Sequence, residues 1–572
     1  MTDIRRTVLW VVFTMSLVLL WDGWQKHNGH PSMFSPAPKT VATAPTGAAS
    51  SGVPAATTGA AGSVQAPAAA AATVAPSEKI TIRTDVLTVT VDTLGGDIVR
   101  AELPKYLTAP DPTVTDQLLQ MIGLKKPAPF TPEPVVLFNA GQQYRAQTGL
   151  VGAQGPLPTH NTPMTAVPGP RALDDGQDEI KLRLESPEVG GVKLVKTFTF
   201  KRGAYTVGVT HEIVNAGTAP VTPQVYLQLV RDGSTVTGGA AFTPSFTGPA
   251  VYNDQTKFKT ITFEDIDKNK VDIQKQAGDG WVSMVQHYFA SAWLVNEPGN
   301  REFFVRKLPG QLGVRGDTYA TGMVFTLPTL APGASTTQNA TLFAGPQEEN
   351  NLAKLAPGLE RVKDYGMLTI LAEPLFWLLD KLHGFIGNWG WTIVALVVLL
   401  KIALYWLNAS AYKSMARMKA VAPRINEMKE RLKDKPQEMQ QEMMKIYREE
   451  KINPIGGCLP IFLQMPIFMA LYWVLLSTVE MRQAPWILWI TDLSVRDPYF
   501  ILPLLMMLTS LFQVWLNPPA ADPMQQKMMW IMPVAFGVMF FVFPAGLVLY
   551  WLTNNILSIA QQWMINRQLG VN

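Results

Sequence analysis

The 572-residue chain holds a single cysteine, Cys458, so no disulfide can form within it. Any part exported to an oxidising compartment is held by its core alone. The six histidines are scattered without ligand spacing, which predicts no metal site. No phosphate-binding glycine loop, GxSxG elbow, HExxH helix or CxxC pair occurs. These absences point away from an enzyme and from a bound cofactor. Charge is scarce too: charged residues make up 16% against 47% hydrophobic, and the net charge is +4. So small an excess does not make a sequence-specific nucleic-acid binder. The balance is that of a membrane protein diluted by a soluble part.

The most informative run is Trp389 to Asn408, WGWTIVALVVLLKIALYWLN. Roughly 20 apolar residues at about 1.5 Å each suffice to cross a bilayer. Lys401 interrupts the run. An ammonium inside the hydrocarbon costs on the order of 2.5–3.5 kcal/mol on insertion scales. Two readings follow. Either the lysine snorkels to the interface or pairs with a neighbouring helix, or it faces a water-filled cavity within a helix bundle.

Ahead of this run the chain divides by texture. Residues 1–24 carry Arg5 and Arg6 before the apolar stretch Val8 to Trp21, with no small-x-small cleavage site directly after it. This predicts an uncleaved transmembrane anchor with a cytoplasmic N-terminus. Residues 25–77 are, from position 31, almost wholly Ala, Pro, Thr, Gly and Ser, a composition that reads as a flexible linker. Residues 78–345 alternate apolar and polar, as in Leu87, Val89, Val91 and in Tyr205, Val207, Val209. That period of two, with turns at Gly95-Gly96-Asp97, Arg202-Gly203 and Asn215-Ala216-Gly217, predicts one large antiparallel sandwich. His211 and Glu212 are adjacent, but no third partner is visible, and they read as ordinary strand residues.

Residues 357–387 place Leu371, Leu375, Leu378, Leu379, Leu382, Phe385 and Ile386 at helical spacing on one face. This predicts an amphipathic helix lying along the membrane surface. Residues 389–568 then make a five-helix core, interrupted at 412–451 by a charged segment. That segment holds eleven Lys or Arg against seven Asp or Glu. In it Met418, Val421, Ile425, Met428 and Leu432 recur at heptad spacing, and Met439, Met443 and Ile446 form a second seam after the turn at Lys433. The reading is a helical hairpin, placed in the cytoplasm by its basic excess.

Further spans are predicted at Leu459–Ser477, Tyr499–Leu516, Met528–Phe543 and about Leu547–Ile565, with a polar external loop over Thr478–Pro498. Counted with the anchor and the Lys401 helix they make six, which brings both termini to the cytoplasm. The last span carries Thr553, Asn554, Asn555, Ser558, Gln561 and Gln562, which need partners or water inside lipid. The alternative function is a secondary transporter using Lys401. Against it stand the lack of an inverted repeat and of a paired acid within the spans.

Several strings are more specific: NPIGGCLPIFLQMPIFMALYW (Asn453–Trp473), EMRQAPWILWITDLS (Glu480–Ser494), DPMQQKMM (Asp522–Met529), FPAGLVLYWLTNN (Phe543–Asn555), QEMMKIY (Gln441–Tyr447) and GWVSMVQHYFASAW (Gly280–Trp293). Together they resemble the YidC family of bacterial inner-membrane insertases over essentially the whole chain. The resemblance implies a polytopic α-helical membrane protein of six transmembrane helices. It also implies a cytoplasmic helical hairpin and a large periplasmic all-β sandwich, a β-supersandwich like that of sugar mutarotases with no carried-over catalysis. The implied function is insertion and folding of inner-membrane proteins in a Gram-negative bacterium, alone or with the Sec translocon, without nucleotide.

The resemblance further implies a hydrophilic groove whose cation attracts the acidic outer segment of the substrate, whose apolar helix then slides into lipid along the third and fifth spans. That cation falls on Lys401 here, where the family usually has arginine. Gln464, Gln513, Trp551 and Asn554 are candidates for the groove lining, with plain interhelical hydrogen bonding as the other reading. Met418, Ile425, Met428, Lys433 and Met443 are candidates for a docking face on the hairpin. Implied partners are nascent membrane proteins, the ribosome, the signal-recognition pathway, the Sec translocon with its accessory subunits, and the lipid bilayer.

Overall fold

The computed structural model describes residues 53–54 and 77–568, apart from 111, 122–123, 127, 235–245, 309–316, 450–458, 518–522 and scattered positions between 407 and 434. The expected anchor and nearly all of the linker lie outside these residues, as do Met418 and Lys433.

Alternating residues from Lys79 to Pro346 build a β-sandwich of two nine-stranded antiparallel sheets. Ile82, Val91 and Leu229 of the first share one core with Phe198, Val209 and Met284 of the second. Trp293 spans the layers, its indole N–H donating to the Gln228 carbonyl at 3.1 Å. The strand Thr206–Asn215 keeps strict alternation. His211 is therefore buried, while Glu212 points outward and faces Arg183 at 3.7 Å. Neighbours on a strand project to opposite faces, so the two form no acid–base pair.

Alternation fails at the strands Trp281–Gln286 and Phe289–Leu294, which are buried throughout. Helices α1 (Val114–Met121) and α2 (Phe263–Asp267) accompany the sandwich, and α3 (Glu349–Leu355) follows its last strand. Leu352 of α3, with Leu359 and Val362 beyond it, packs on Ala250, Trp281 and Phe343. Both faces of this part of the sheet are therefore dry, and even the polar Ser283, Gln286 and Ser291 are buried there.

The rest of the chain is helical. It forms α4 (Thr369–Ile386), α5 (Trp389–Ala403), α6 (Pro436–Glu449), α7 (Leu459–Ser477), α8 (Ile501–Leu516), α9 (Pro523–Met539) and α10 (Ala545–Gln568). α10 packs against α5, α7 and α8, α4 lies on α5 and α7, and α9 lies on α8.

The helix expected over 357–387 starts only at Thr369. Gly358 and Gly366 take left-handed backbone at φ 74° and 65°, and a short 3-10 turn lies between them. At Gly366 a side chain would also run into Trp473, so a straight helix from 357 has no room. The buried face of α4 is Ala372, Phe376 and Leu379. Phe385, placed on the expected apolar face, is 90% exposed, as are Ile370 at 86% and Trp377 at 61%. The helix is apolar on two sides, and packing decided which one turned inward.

α5 ends at Ala403, with a turn at Leu404, rather than running on unbroken to Asn408. Among the described residues no helix is long and apolar enough to cross a membrane. α5 and α8 hold only 15 and 16 residues, and the 24-residue α10 buries Asn555, Ser558, Gln561 and Gln562. In the charged segment, Ile425 and Met428 are buried with Ile446 of α6, and Val421, Leu432, Met439 and Met443 pack around them.

The α7–α8 loop is less polar than its charges suggest, since Ile487 and Leu488 stand exposed on it. It joins the sandwich to the helices. Arg482 donates to the Leu107 carbonyl at 2.8 Å and lies over the Tyr288 and Phe289 rings. Gln117 of α1 donates to the Asp497 carbonyl at 3.1 Å. The same loop ties down the start of α10, because the N–H groups of Ala545 and Gly546 donate to the carbonyls of Val495 and Leu493 at 2.7 and 2.9 Å.

Candidate functional site

The polar residues of α10 fall into two stripes by helical spacing. Asn555 and Gln562, seven apart, face α8 and its end: Asn555 donates to Ser510 Oγ at 2.7 Å and Gln562 to Asn517 Oδ1 at 3.0 Å. Asn554, Ser558 and Gln561, spaced four and three, face α5 and α7. Gln464 of α7 donates to Asn554 Oδ1 at 2.9 Å. Gln561 reaches the Tyr405 carbonyl at 3.4 Å. Between these contacts, Lys401 Nζ donates to Ser558 Oγ at 2.7 Å, and that hydroxyl donates to the Asn554 carbonyl at 2.8 Å.

Lys401 lies in the last turn of α5, where the unsatisfied carbonyls favour a cation. Beside it is a cavity of about 10 Å³, lined by Val397, Leu400 and Leu404 of the α5 segment, Gln464 and Ile467 of α7, and Tyr550 and Asn554 of α10. That volume holds about one water. Lys401 both pairs with a neighbouring helix and lines this cavity. Among the described residues no carboxylate lines it. The arrangement is thus a lone cation held by one neutral hydroxyl at the junction of three helices. It can attract an anion.

The other candidates are placed as follows. Gln464 and Asn554 meet each other at the cavity. Trp551 stands edge-on to Phe468 at 4.0 Å and to Phe540 at 4.8 Å, in an aromatic cluster that binds α7 to α10. Gln513 lies half-buried on α8, and its carbonyl accepts from the Asn517 N–H at 3.2 Å. Ile425, Met428 and Met443 belong to the hairpin seam rather than to an open face. Sequence reasoning passed over Tyr550 as a lining residue and Ser558 as the partner of Lys401. The signal for Ser558 was its spacing of four from Asn554 and three from Gln561, which marks one polar stripe.

The family described as 60Kd inner membrane protein matches residues 381–571, and the one described as YidC periplasmic domain matches residues 79–378. The membrane protein insertase YidC of Cupriavidus taiwanensis is 52% identical, covering 99% of this chain and 98% of its own. That of Ralstonia nicotianae is 51% identical, covering 100% and 99%. The chain belongs to the YidC family. Its sandwich matches the periplasmic domain of that family and its helices match an inner-membrane protein, so the chain is an inner-membrane member with a periplasmic domain. YidC relatives carry the name of insertases, not of enzymes. A solved active YidC insertase structure with its first transmembrane domain resolved is 18% identical over 85% of this chain and 92% of its own, at a TM-score of 0.37.

Proposed function

We propose that the chain inserts proteins into the inner membrane of a Gram-negative bacterium and helps them fold, alone or with the Sec translocon. One observation carries the reading beyond the family relation. Lys401 is a cation hydrogen-bonded to a neutral hydroxyl, with no acid along its cavity. Such an ammonium gains by exchanging Ser558 for an incoming carboxylate, because a full negative charge attracts it more strongly than a hydroxyl dipole does. Low dielectric around the cavity strengthens the attraction further. Moving the substrate's apolar helix on into lipid is driven by burial, at about 25 cal/mol per Å². α7 and α9 offer the path, with Met465 exposed at 50% and Ile531 and Val538 at 63%.

The proposed topology has six spans: one within residues 1–24, then α5, α7, α8, α9 and α10. Both termini and the hairpin are cytoplasmic, and the sandwich is periplasmic. At about 1.5 Å per residue α5 and α8 measure roughly 22 and 24 Å, short of a hydrocarbon core of about 30 Å. Short helices thin the bilayer around them, which shortens the polar segment's path. The basic hairpin is the proposed landing place for the ribosome and the signal-recognition pathway, and Gln464 and Asn554 join Lys401 in the groove.

The test is insertion of a single-spanning substrate with an acidic outer tail into proteoliposomes, scored by protease protection. Lys401→Arg keeps insertion and Lys401→Glu abolishes it. Equal activity of the two variants would refute attraction by charge. No insertion by the folded wild-type chain, together with uptake of a solute, would favour a transporter.

A further inference from the structure

Lys363 lies between the sandwich and α4, and its side chain has no exposed surface. Its Nζ makes no hydrogen bond. It stands 3.4 Å from the centroid of the Phe376 ring on α4, 3.8 Å from Glu349 Oε2 on α3 and 3.9 Å from Glu480 Oε2 in the α7–α8 loop. Three separate elements therefore meet at one ammonium. The two carboxylates are not equivalent. Glu349 Oε2 also accepts a hydrogen bond from the Tyr365 hydroxyl at 2.5 Å, whereas Glu480 Oε2 is buried without one. Glu348 accepts from Tyr106 at 2.6 Å, and Asp380 of α4 accepts from Asn350 of α3 at 3.2 Å. The junction is thus acidic, with Lys363 among its carboxylates.

Two carboxylates near 4 Å, without direct hydrogen bonds, attract the ammonium strongly in a dry site while leaving its geometry loose. A ring face at the third side adds a cation–π contact. Burial pushes Lys363 below its ordinary range and Glu480 above its own, and each of the two pulls the other back.

We propose that Lys363 is a positioning residue for the groove: its ammonium clasps α3, α4 and the α7–α8 loop into one body, and the loop passes that placement to α10. The second step is backbone. Leu493 and Val495 of the loop hold the first N–H groups of α10, the helix that presents Ser558 and Asn554 to Lys401. Removing the ammonium alone strands Glu480 in a buried site. Removing the Glu480 charge as well returns the site to the parent's net charge and leaves Glu349 hydrogen-bonded to Tyr365.

Spin labels test this in proteoliposomes of the full chain, in a Cys458→Ser background, at Asn300→Cys on the sandwich and Trp377→Cys on α4, both exposed positions. The parent gives one narrow separation. Lys363→Met broadens it and slows insertion of an acidic-tailed substrate several-fold, and Lys363→Met/Glu480→Gln recovers both. Glu480→Gln alone broadens the separation less than Lys363→Met, and it carries the test should the lysine variant not fold. Separations unchanged in Lys363→Met and in Glu480→Gln overturn the clasp, as does a double variant no better than Lys363→Met. The separation is read without substrate, so failure of the insertase reading would leave this result standing.

Discussion

In the sandwich, Lys196 is wholly buried and donates to the carbonyls of Gly95 and Thr148 at 2.5 and 2.7 Å. Asp97 is the nearby acid: burial drives the aspartate up and the lysine down in titration, and each is partly restored by the other. In the helical core, Lys401 is half-buried and donates to a single hydroxyl beside a small cavity without a carboxylate. The first lysine is saturated by fixed protein groups and belongs to the architecture. The second has one hydroxyl partner, which the proposed mechanism has a substrate displace. Under that proposal partner chemistry, more than depth of burial, separates a structural charge from a working one.

The largest effect that would sharpen this contrast is in the sandwich. Lys196→Met strands Asp97 in the core and should cost about 3–5 kcal/mol of sandwich stability, read as the denaturation midpoint of the full chain in detergent. Lys401→Met should instead shift that midpoint by less than about 3 kcal/mol, the upper scale of one hydrogen bond to a charged group. It should nevertheless slow insertion of the acidic-tailed substrate by roughly tenfold, about 1.4 kcal/mol. Loss of stability in Lys401→Met comparable to that in Lys196→Met would break the comparison.

His211 supplies a smaller test of the buried sandwich network. Burial, with the Lys196 cation, pushes its imidazole down to about 3 from the ordinary 6.5, so the folded state holds it neutral. A lowered base contributes stability fully above 6.5 and loses it as pH falls towards 3, because the unfolded chain takes up the proton first. About 1.4 kcal/mol of this contribution should be gone by about pH 5.5. Asp97, raised by burial, acts in the opposite direction in both proteins. The difference in acid sensitivity between the parent and His211→Gln therefore isolates the histidine, and identical profiles would remove it from the network. The smallest effect belongs to Ser558→Ala. It deletes a hydrogen bond to a charged group, worth about 1.5–3 kcal/mol, but leaves Lys401 charged, so insertion should change far less than in Lys401→Met.

Much of the architecture was legible because short-range periods report it. The alternation at Val207 and Val209 marked an inward strand face, and those residues lie in the sandwich core. The strands around Trp281 and Trp293 lost that signal because helix α3 and the turn after it cover their outer side. Lys401 was conspicuous as a lone charge in an apolar run. Its partner was not, because Ser558 lies 157 residues away and the pairing depends on the relative rotation of two helices. Lys363 gave no signal at all: it sits in a polar connection without periodicity, and its burial comes from three elements that converge only in space.

By itself the amino-acid order determined that a strand-rich stretch precedes a helical one, that no disulfide helps to hold them, and that one cation interrupts an apolar run. These are properties of residue type and of spacing within a few turns. Only the tertiary structure decided which side of α4 turned inward, that α5 ends just past Lys401, and that Lys401 meets Ser558 while Lys363 meets Glu349 and Glu480. Those outcomes depend on helix rotation and on contacts between residues far apart in the chain, and a local pattern carries no record of either.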